Sequence, residues 1–182
     1  MARLPQRSRD EMPPEQQRVY DDIGGGPRGG VRGPFHALLY SPKLADAAQK
    51  LGQYVRYDCS IPAKLRELAI LITAYHWKAQ YEWFAHEPHA REAGLPDPVI
   101  DAIRNGKRPD FSDAAEEEIY NFCTELYDKK RVSDATFAKI EARHGGVGAV
   151  ELGGLLGHYN LIAITLNIAE TPVPGGAKPL AE

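Results

Sequence analysis

Cysteine is scarce in this chain of 182 residues, which contains only Cys59 and Cys123. The two lie far apart and no pairing pattern surrounds them, so the sequence predicts no disulfide framework. Such sparse use of cysteine is typical of proteins in a reducing compartment, and we expect a cytoplasmic location.

The chain also lacks a surplus of positive charge and a long apolar run. Its formal net charge is -3, whereas nucleic-acid-binding domains are usually basic. The best apolar stretch, "LAILITAYHW", falls short of the roughly 18 residues that a membrane helix needs. The basic N-terminus has no apolar stretch behind it, which argues against a secretory signal. We therefore expect neither nucleic acid nor a membrane as a partner.

The alternating pattern of β-strands is missing, and helical signals dominate instead. Helices are predicted at residues 13–23, 41–58, 61–80, 80–93, 96–106, 112–131, 133–145 and 147–170. Ser41 and either Ser112 or Asp113 are the expected caps of two of them. The pattern predicts an all-α, single-domain helical bundle, with an N-terminal helix and arm (1–24), a helical domain (25–170) and a proline-rich tail (171–182).

The stretch "QYEWFAHEPH" carries the most chemistry. On a helix, Glu82, His86 and His89 share one face because they are spaced by four and three residues. Three interpretations stay open: a proton-transfer site, a metal site formed by Glu82 and His86 with Glu67 or His89, and a solvated helix face. A carboxylate beside His86 would fix its tautomer and raise its pKa.

Two other segments have candidate binding residues. In the glycine-rich loop "GGGPRGGVRGP", Arg28 and Arg32 could hold a substrate carboxylate or could solvate an irregular loop. In the apolar last helix, His158, Tyr159 and Asn160 could line a pocket or could satisfy one another in the core.

The stretch "LRELAILITAYHWKAQYEWFAHEPHAREAGLPDPVIDAI" resembles the carboxymuconolactone decarboxylase family, which includes the alkylhydroperoxidase D-like proteins. The matching features are Glu67 in an apolar helix, then Tyr81, Glu82 and Trp83, then His86, and then "AREAGL". The flanking segments "GGPRGGVRGPFHALLYSP" and "LLGHYNLIAITLNIAETPVP" are similar to the longer members. The resemblance covers residues 25–174.

This resemblance implies an all-α bundle of the alkylhydroperoxidase D-like type and a cofactor-independent decarboxylase or related lyase, with no metal. Its substrate would be a small carboxylated lactone or similar acid. His86, Glu82 and Glu67 would be catalytic, with Glu67 facing His86 and both glutamates orienting it. The expected substrate-binding residues are Arg32, Tyr81, Trp83 and His158. By the same resemblance the chain would form a homotrimer or homohexamer.

The chain departs from the peroxidase branch of this family. That branch has two cysteines in CxxC spacing ahead of the histidine, and the corresponding positions here are Ala79 and Glu82. Because a peroxidase needs a thiolate and a resolving thiol, thiol peroxidase activity is not expected. The alternative to the lyase is a non-catalytic or ligand-binding relative that keeps the fold and the oligomer.

The last predicted helix is apolar almost all round, which indicates burial on most sides. Ala149, Gly153 and Gly157 recur every fourth residue and form a smooth strip. The strip would allow either tight packing within the subunit or a close contact between subunits. Such a large apolar circumference predicts self-association.

Overall fold

Each predicted helix has a counterpart in the computed structural model, which describes residues 2–181. Within these residues there is no β-strand, and the predicted all-α, single-domain bundle is confirmed. The helices are α1 (Pro14–Gly24), α2 (Pro34–Leu38), α3 (Pro42–Gln53), α4 (Ala63–His76), α5 (Gln80–Glu92), α6 (Asp97–Arg104), α7 (Ala114–Lys129) and α8 (Asp134–Ala169). A turn of π-helix, Tyr54–Asp58, follows α3.

Helix α4 is the centre of the bundle. It packs against α5, α6, α7 and α8, and residues 68–71 in its middle have no exposed surface. This agrees with its nearly continuous apolar sequence, since a helix that is hydrophobic all round is usually buried. The α4–α5 contact is the most extensive in the fold, as predicted for this pair.

The predicted helix over residues 61–80 ends early, at His76. Lys78 adopts a left-handed conformation with φ 51°, and the N–H of Ala79 donates to the carbonyl of Ala74 at 2.8 Å. These features make up a Schellman motif, in which a left-handed residue reverses the chain after a helix. The turn starts α5 antiparallel to α4, and so it sets which residues of the two helices face each other.

The glycine-rich segment before α2 is irregular backbone, as predicted. Gly33 has φ 55°, a conformation that glycine adopts without strain. A Cβ at this position would also lie 2.5 Å from Cε1 of Tyr81. Glycine is therefore needed at position 33 for two reasons, its backbone conformation and its lack of a Cβ. The missing Cβ lets the loop lie directly against α5.

Helix α8 joins the last two predicted helices. Gly145, the predicted stop, breaks the helical geometry with φ 68° and ψ 176°. By length and composition α8 could cross a membrane, contrary to the sequence expectation, but 56% of its most apolar stretch is buried inside the domain. Such burial is that of a core helix.

The outward face of α8 is apolar and uncovered in the single chain. Val150 and Ile168 are 77% and 61% exposed, and a Cβ added at Gly153 or Gly157 would meet nothing within 4 Å. Of the predicted strip, only Ala149 packs inside the subunit. Seven exposed or half-buried positions recur with the alternating spacing of a coiled-coil seam: Val147, Val150, Gly154, Gly157, Leu161, Ile164 and Ile168.

Self-association through this face stays a prediction, and Val150 offers its test. We expect the wild-type chain to be a homo-oligomer in light scattering at micromolar concentration. Val150→Glu should shift it toward monomer, because burying an unpaired carboxylate at an interface is costly. Ala138→Glu, at an exposed site before Gly145, is the control. A wild-type monomer would contradict the prediction.

The proline-rich tail packs back onto the bundle. The side chain of Gln80 donates to the carbonyl of Leu180 and accepts from its N–H, both at 2.9 Å. Leu180 itself is buried in the core. The tail thereby brings Pro174 to the edge of the cleft described next.

Candidate active site

A cleft of about 840 Å³ lies between α4, α5, α8 and the glycine-rich loop. Helices α4 and α5 form one wall, and α8 and the π-turn contribute to the rest. All but one of the predicted site residues line it: Arg32, Glu67, Tyr81, Glu82, His86 and His158. Residues from distant parts of the sequence therefore meet at one place.

Glu67 and His86 form a buried pair across the α4–α5 contact. Nδ1 of His86 lies 2.7 Å from Oε2 of Glu67, and the residues are only 6% and 7% exposed, respectively. Burial lowers the pKa of His86 by more than the neighbouring Glu67 raises it. Burial raises the pKa of Glu67, but the charge and hydrogen bond of His86 outweigh this and leave that pKa below its usual value.

The lowered pKa of His86 and the lowered pKa of Glu67 both favour a neutral imidazole beside an ionised carboxylate near neutral pH. The expectation that the pKa of His86 is raised was therefore wrong, because sequence spacing shows neighbours but not burial. An ionised Glu67 accepts a hydrogen bond, so the proton of His86 is on Nδ1. Nε2 then carries a lone pair, which makes His86 a candidate general base.

The surroundings of Glu82 differ from those of Glu67, which is hydrogen-bonded to His86. Glu82 is 1% exposed, and neither carboxyl oxygen has a hydrogen-bond partner within residues 2–181. Burial raises the pKa of Glu82 well above its usual value, because an ionised carboxylate is poorly solvated there. These surroundings favour the protonated, neutral form of Glu82, which could donate a proton. The expectation that it orients His86 was wrong, since Glu67 alone makes that contact.

His158 and Tyr159 both line the cleft, which decides between the two interpretations of this segment. The ring of Tyr159 lies edge-on to that of His86, with centroids 5.0 Å apart. Burial, followed by the positive charge of Arg28, lowers the pKa of His158 to about 4. Asn160 lies elsewhere, where its side chain binds the indole of Trp77.

Four arginines line the cleft: Arg28, Arg32, Arg56 and Arg66. Arg32 is exposed, whereas Arg28 and Arg56 are half-buried. Arg56, which lies in the π-turn, was not predicted from the sequence. A π-turn often marks a functional site, but no sequence pattern revealed this one.

The predicted contact of Trp83 with substrate is corrected by the structure. Trp83 has no exposed surface and packs in the core, outside the residues that line the cleft. Its indole N–H donates to Glu87 at 2.8 Å. Trp83 thus stabilises α5 and does not reach a ligand. His89 is exposed and is among the residues that line the cleft.

The metal-site interpretation finds no supporting geometry. Among the residues that the structure describes, no three His, Cys, Asp or Glu side chains are grouped so that they could hold a metal ion. This includes the proposed ligands Glu82 and His86 with Glu67 or His89.

Both thiols are buried away from the cleft. Cys123 has no exposed surface, and burial raises its pKa. Cys59 donates to the carbonyl of Val55 at 3.0 Å and is also buried. Ala79 is also buried. A thiolate mechanism at this cleft has no group to perform it.

The chain matches no family model and no curated protein. The resemblance to the carboxymuconolactone decarboxylase family therefore stays a prediction from the residues themselves.

Proposed function

We propose that the protein is a cofactor-independent decarboxylase or related lyase, acting on a small carboxylated lactone or similar acid. The supporting observation is that two buried glutamates of the cleft have different surroundings: Glu67 is hydrogen-bonded to His86, which lowers its pKa, whereas Glu82 has no partner within residues 2–181 and burial raises its pKa. Environments that push the pKa values of neighbouring acids apart are characteristic of acid–base catalysis.

The chemistry needs a group that delivers a proton to a carbanion. In a decarboxylation, the bond between carbon and the carboxylate breaks, carbon dioxide leaves, and the electron pair delocalises into the lactone carbonyl as an enolate. Glu82 then transfers its proton to carbon, a new C–H bond forms, and Glu82 becomes a carboxylate. Because burial disfavours that charge, Glu82 takes a proton back from water.

His86 has the complementary role of base. In a related lyase reaction, the enolate would form when Nε2 removes a proton from the carbon next to the carbonyl, and Glu82 would protonate the leaving group. Glu67 orients His86 and stabilises the imidazolium that results. Glu82 is thus the acid in both reactions, and His86, held by Glu67, is the base in the second.

The proposal extends to partners and location. We propose a homotrimer or homohexamer in the cytoplasm, with a small carboxylate or lactone as ligand and neither nucleic acid nor a membrane as partner. The uncovered face of α8 supports self-association. The two free cysteines support the cytoplasmic location.

The test is a screen of small carboxylic acids and lactones for carbon dioxide release and for loss of the lactone. We expect at least one compound to be turned over. Where the reaction begins with proton removal by His86, His86→Ala should lower the rate about 10²- to 10⁴-fold, as loss of a general base usually does. His86→Ala should keep its circular dichroism spectrum.

A double Cys59→Ala, Cys123→Ala variant separates this reaction from a thiol mechanism. It should keep the wild-type rate constant, since neither thiol reaches the cleft. If the cysteine variant is inactive and His86→Ala is active, the proton-transfer proposal is wrong. Compounds that bind beside His86 without turnover would instead favour the ligand-binding relative.

A further inference from the structure

Two nitrogen-bearing side chains converge at the end of the cleft next to α3. A Cβ added to Gly52 would lie 2.5 Å from Nη2 of Arg28 and 2.5 Å from Nε2 of His158. The two nitrogens are therefore no more than twice that distance apart. Because Gly52 has no side chain, both nitrogens fit next to α3. The Cβ of any other residue would occupy that space.

Each side chain has buried nitrogen atoms that the described residues leave unpaired. Nε and Nη2 of Arg28 and Nδ1 of His158 are buried without a hydrogen-bond partner in the described part of the chain. His158 is 3% exposed, and the guanidinium of Arg28 lies 4.8 Å from the centre of the Phe35 ring. Buried donors without partners are uncommon in proteins, because each loses its hydration.

The unsatisfied edge of Arg28 is the one that binds carboxylates elsewhere in this protein. Nε and Nη2 of Arg9 donate to the two oxygens of Asp21, each at 2.6 Å. Arg143 uses the same two nitrogens on Glu118, at 2.6 and 3.1 Å. Such side-on pairing suits a planar carboxylate. On Arg28 the same edge has no carboxylate.

The surroundings of Arg28 are positively charged, as is typical of an anion-binding site. The groups that act on it electrostatically are Tyr159, Tyr57 and Arg56, and none of them is a carboxylate. Arg56 adds a second positive charge, and it acts on His158 as well. An anion placed here would relieve the repulsion between the two guanidinium groups.

We propose that Arg28, His158 and Arg56 form an anion-binding subsite that holds a carboxylate group of the ligand, with Arg28 as a side-on donor. Arg32, the anchor expected from the sequence, is exposed at the cleft and is not part of it. The subsite shares its cleft with the proposed reaction and deepens that proposal by placing one end of the ligand. Its binding of carboxylates does not require the reaction to occur.

Unreactive probes test the subsite directly. Acetate and benzoate are titrated into the ¹⁵N-labelled full chain, with acetamide and benzamide as uncharged analogues of the same shape. The Nε–H resonance of Arg28, assigned from its loss in Arg28→Gln, reports contact at the donor. We expect a saturable shift of this resonance with at least one carboxylate and with neither amide.

Gly52→Ala is the decisive variant, because its methyl group displaces Arg28 and His158 together while keeping both. We expect it to weaken carboxylate binding about tenfold or more, as loss of charge-assisted hydrogen bonds does. Gly24→Ala is the matched control, since a Cβ there meets nothing within 4 Å. Arg28→Gln should weaken binding as much as Gly52→Ala, and Arg32→Gln should have little effect.

Three results would each overturn the subsite: no shift with either carboxylate, equal shifts with the amides, or unchanged affinity in both Gly52→Ala and Arg28→Gln. If Gly52→Ala fails to fold, Arg28→Gln alone decides. Failure of the reaction looks different, because the probes would bind wild type normally while no compound in the screen is turned over.

Discussion

Replacing Glu82 by glutamine is expected to abolish proton delivery in the cleft and to change how the stability of the protein depends on pH. Glutamine has the same shape as the neutral acid but no proton to give. The rate constant on the substrate found in the screen should fall about 10²- to 10⁴-fold, as loss of a general acid usually causes. The bound ligand should keep its affinity, since the anion subsite is unchanged.

The effect on stability follows from the raised pKa of Glu82 in the folded chain. Between the ordinary pKa of a glutamate and that raised value, the folded chain holds a proton that the unfolded chain has lost. The free energy of unfolding therefore decreases as pH rises across this window, by up to about 1.4 kcal/mol per pH unit from this group. The stabilisation is complete below the ordinary value and is lost above the raised one.

Glu82→Gln cannot titrate and should lack this contribution. Urea unfolding of both proteins from about pH 5 to about pH 8 should show the variant gaining stability relative to wild type as pH rises. Glu141→Gln, at an exposed site, is the control and should follow wild type. Parallel curves for Glu82→Gln and wild type would show that Glu82 is ionised in the folded chain, and the proposed acid would be wrong.

Periodicity predicted the helices well, because the core of a helical bundle is built from the same apolar stripes that the sequence displays. It failed at the end of α4. A Schellman turn is recognised by its glycine, and here Lys78 takes the left-handed position. The sequence pattern therefore predicted a helix that continues to residue 80, whereas α4 ends at His76.

The sequence predicted which residues form the candidate site better than it predicted their protonation behaviour. Spacing and resemblance placed Glu67, Glu82 and His86 together. They did not give the depth of burial, which reverses the pKa shift expected for His86 and raises the pKa of Glu82 well above its usual value. Two arginines in one loop also look alike in sequence, and only the fold shows that Arg28 is half-buried next to His158 whereas Arg32 is exposed.

Replacing Glu67 by glutamine should lower activity and move the pH profile in a direction that reports the role of His86. Glu67 raises the pKa of His86, although burial dominates. Without that charge the pKa falls further, so His86 stays neutral to a lower pH. If His86 acts as a base, the acidic limb of kcat/KM should move to lower pH.

The rate constant at its optimum should also fall, by about 10²-fold or more. The glutamine amide can donate as well as accept, so it no longer fixes the tautomer of the imidazole, and it has no charge to stabilise the imidazolium. Glu92→Gln is the matched control: it removes the same charge from the edge of the cleft, where Glu92 contacts His89 and not His86. Its acidic limb should not move. If Glu67→Gln shifts the basic limb instead, His86 acts as an acid in the folded protein, and the roles proposed for His86 and Glu82 must be exchanged.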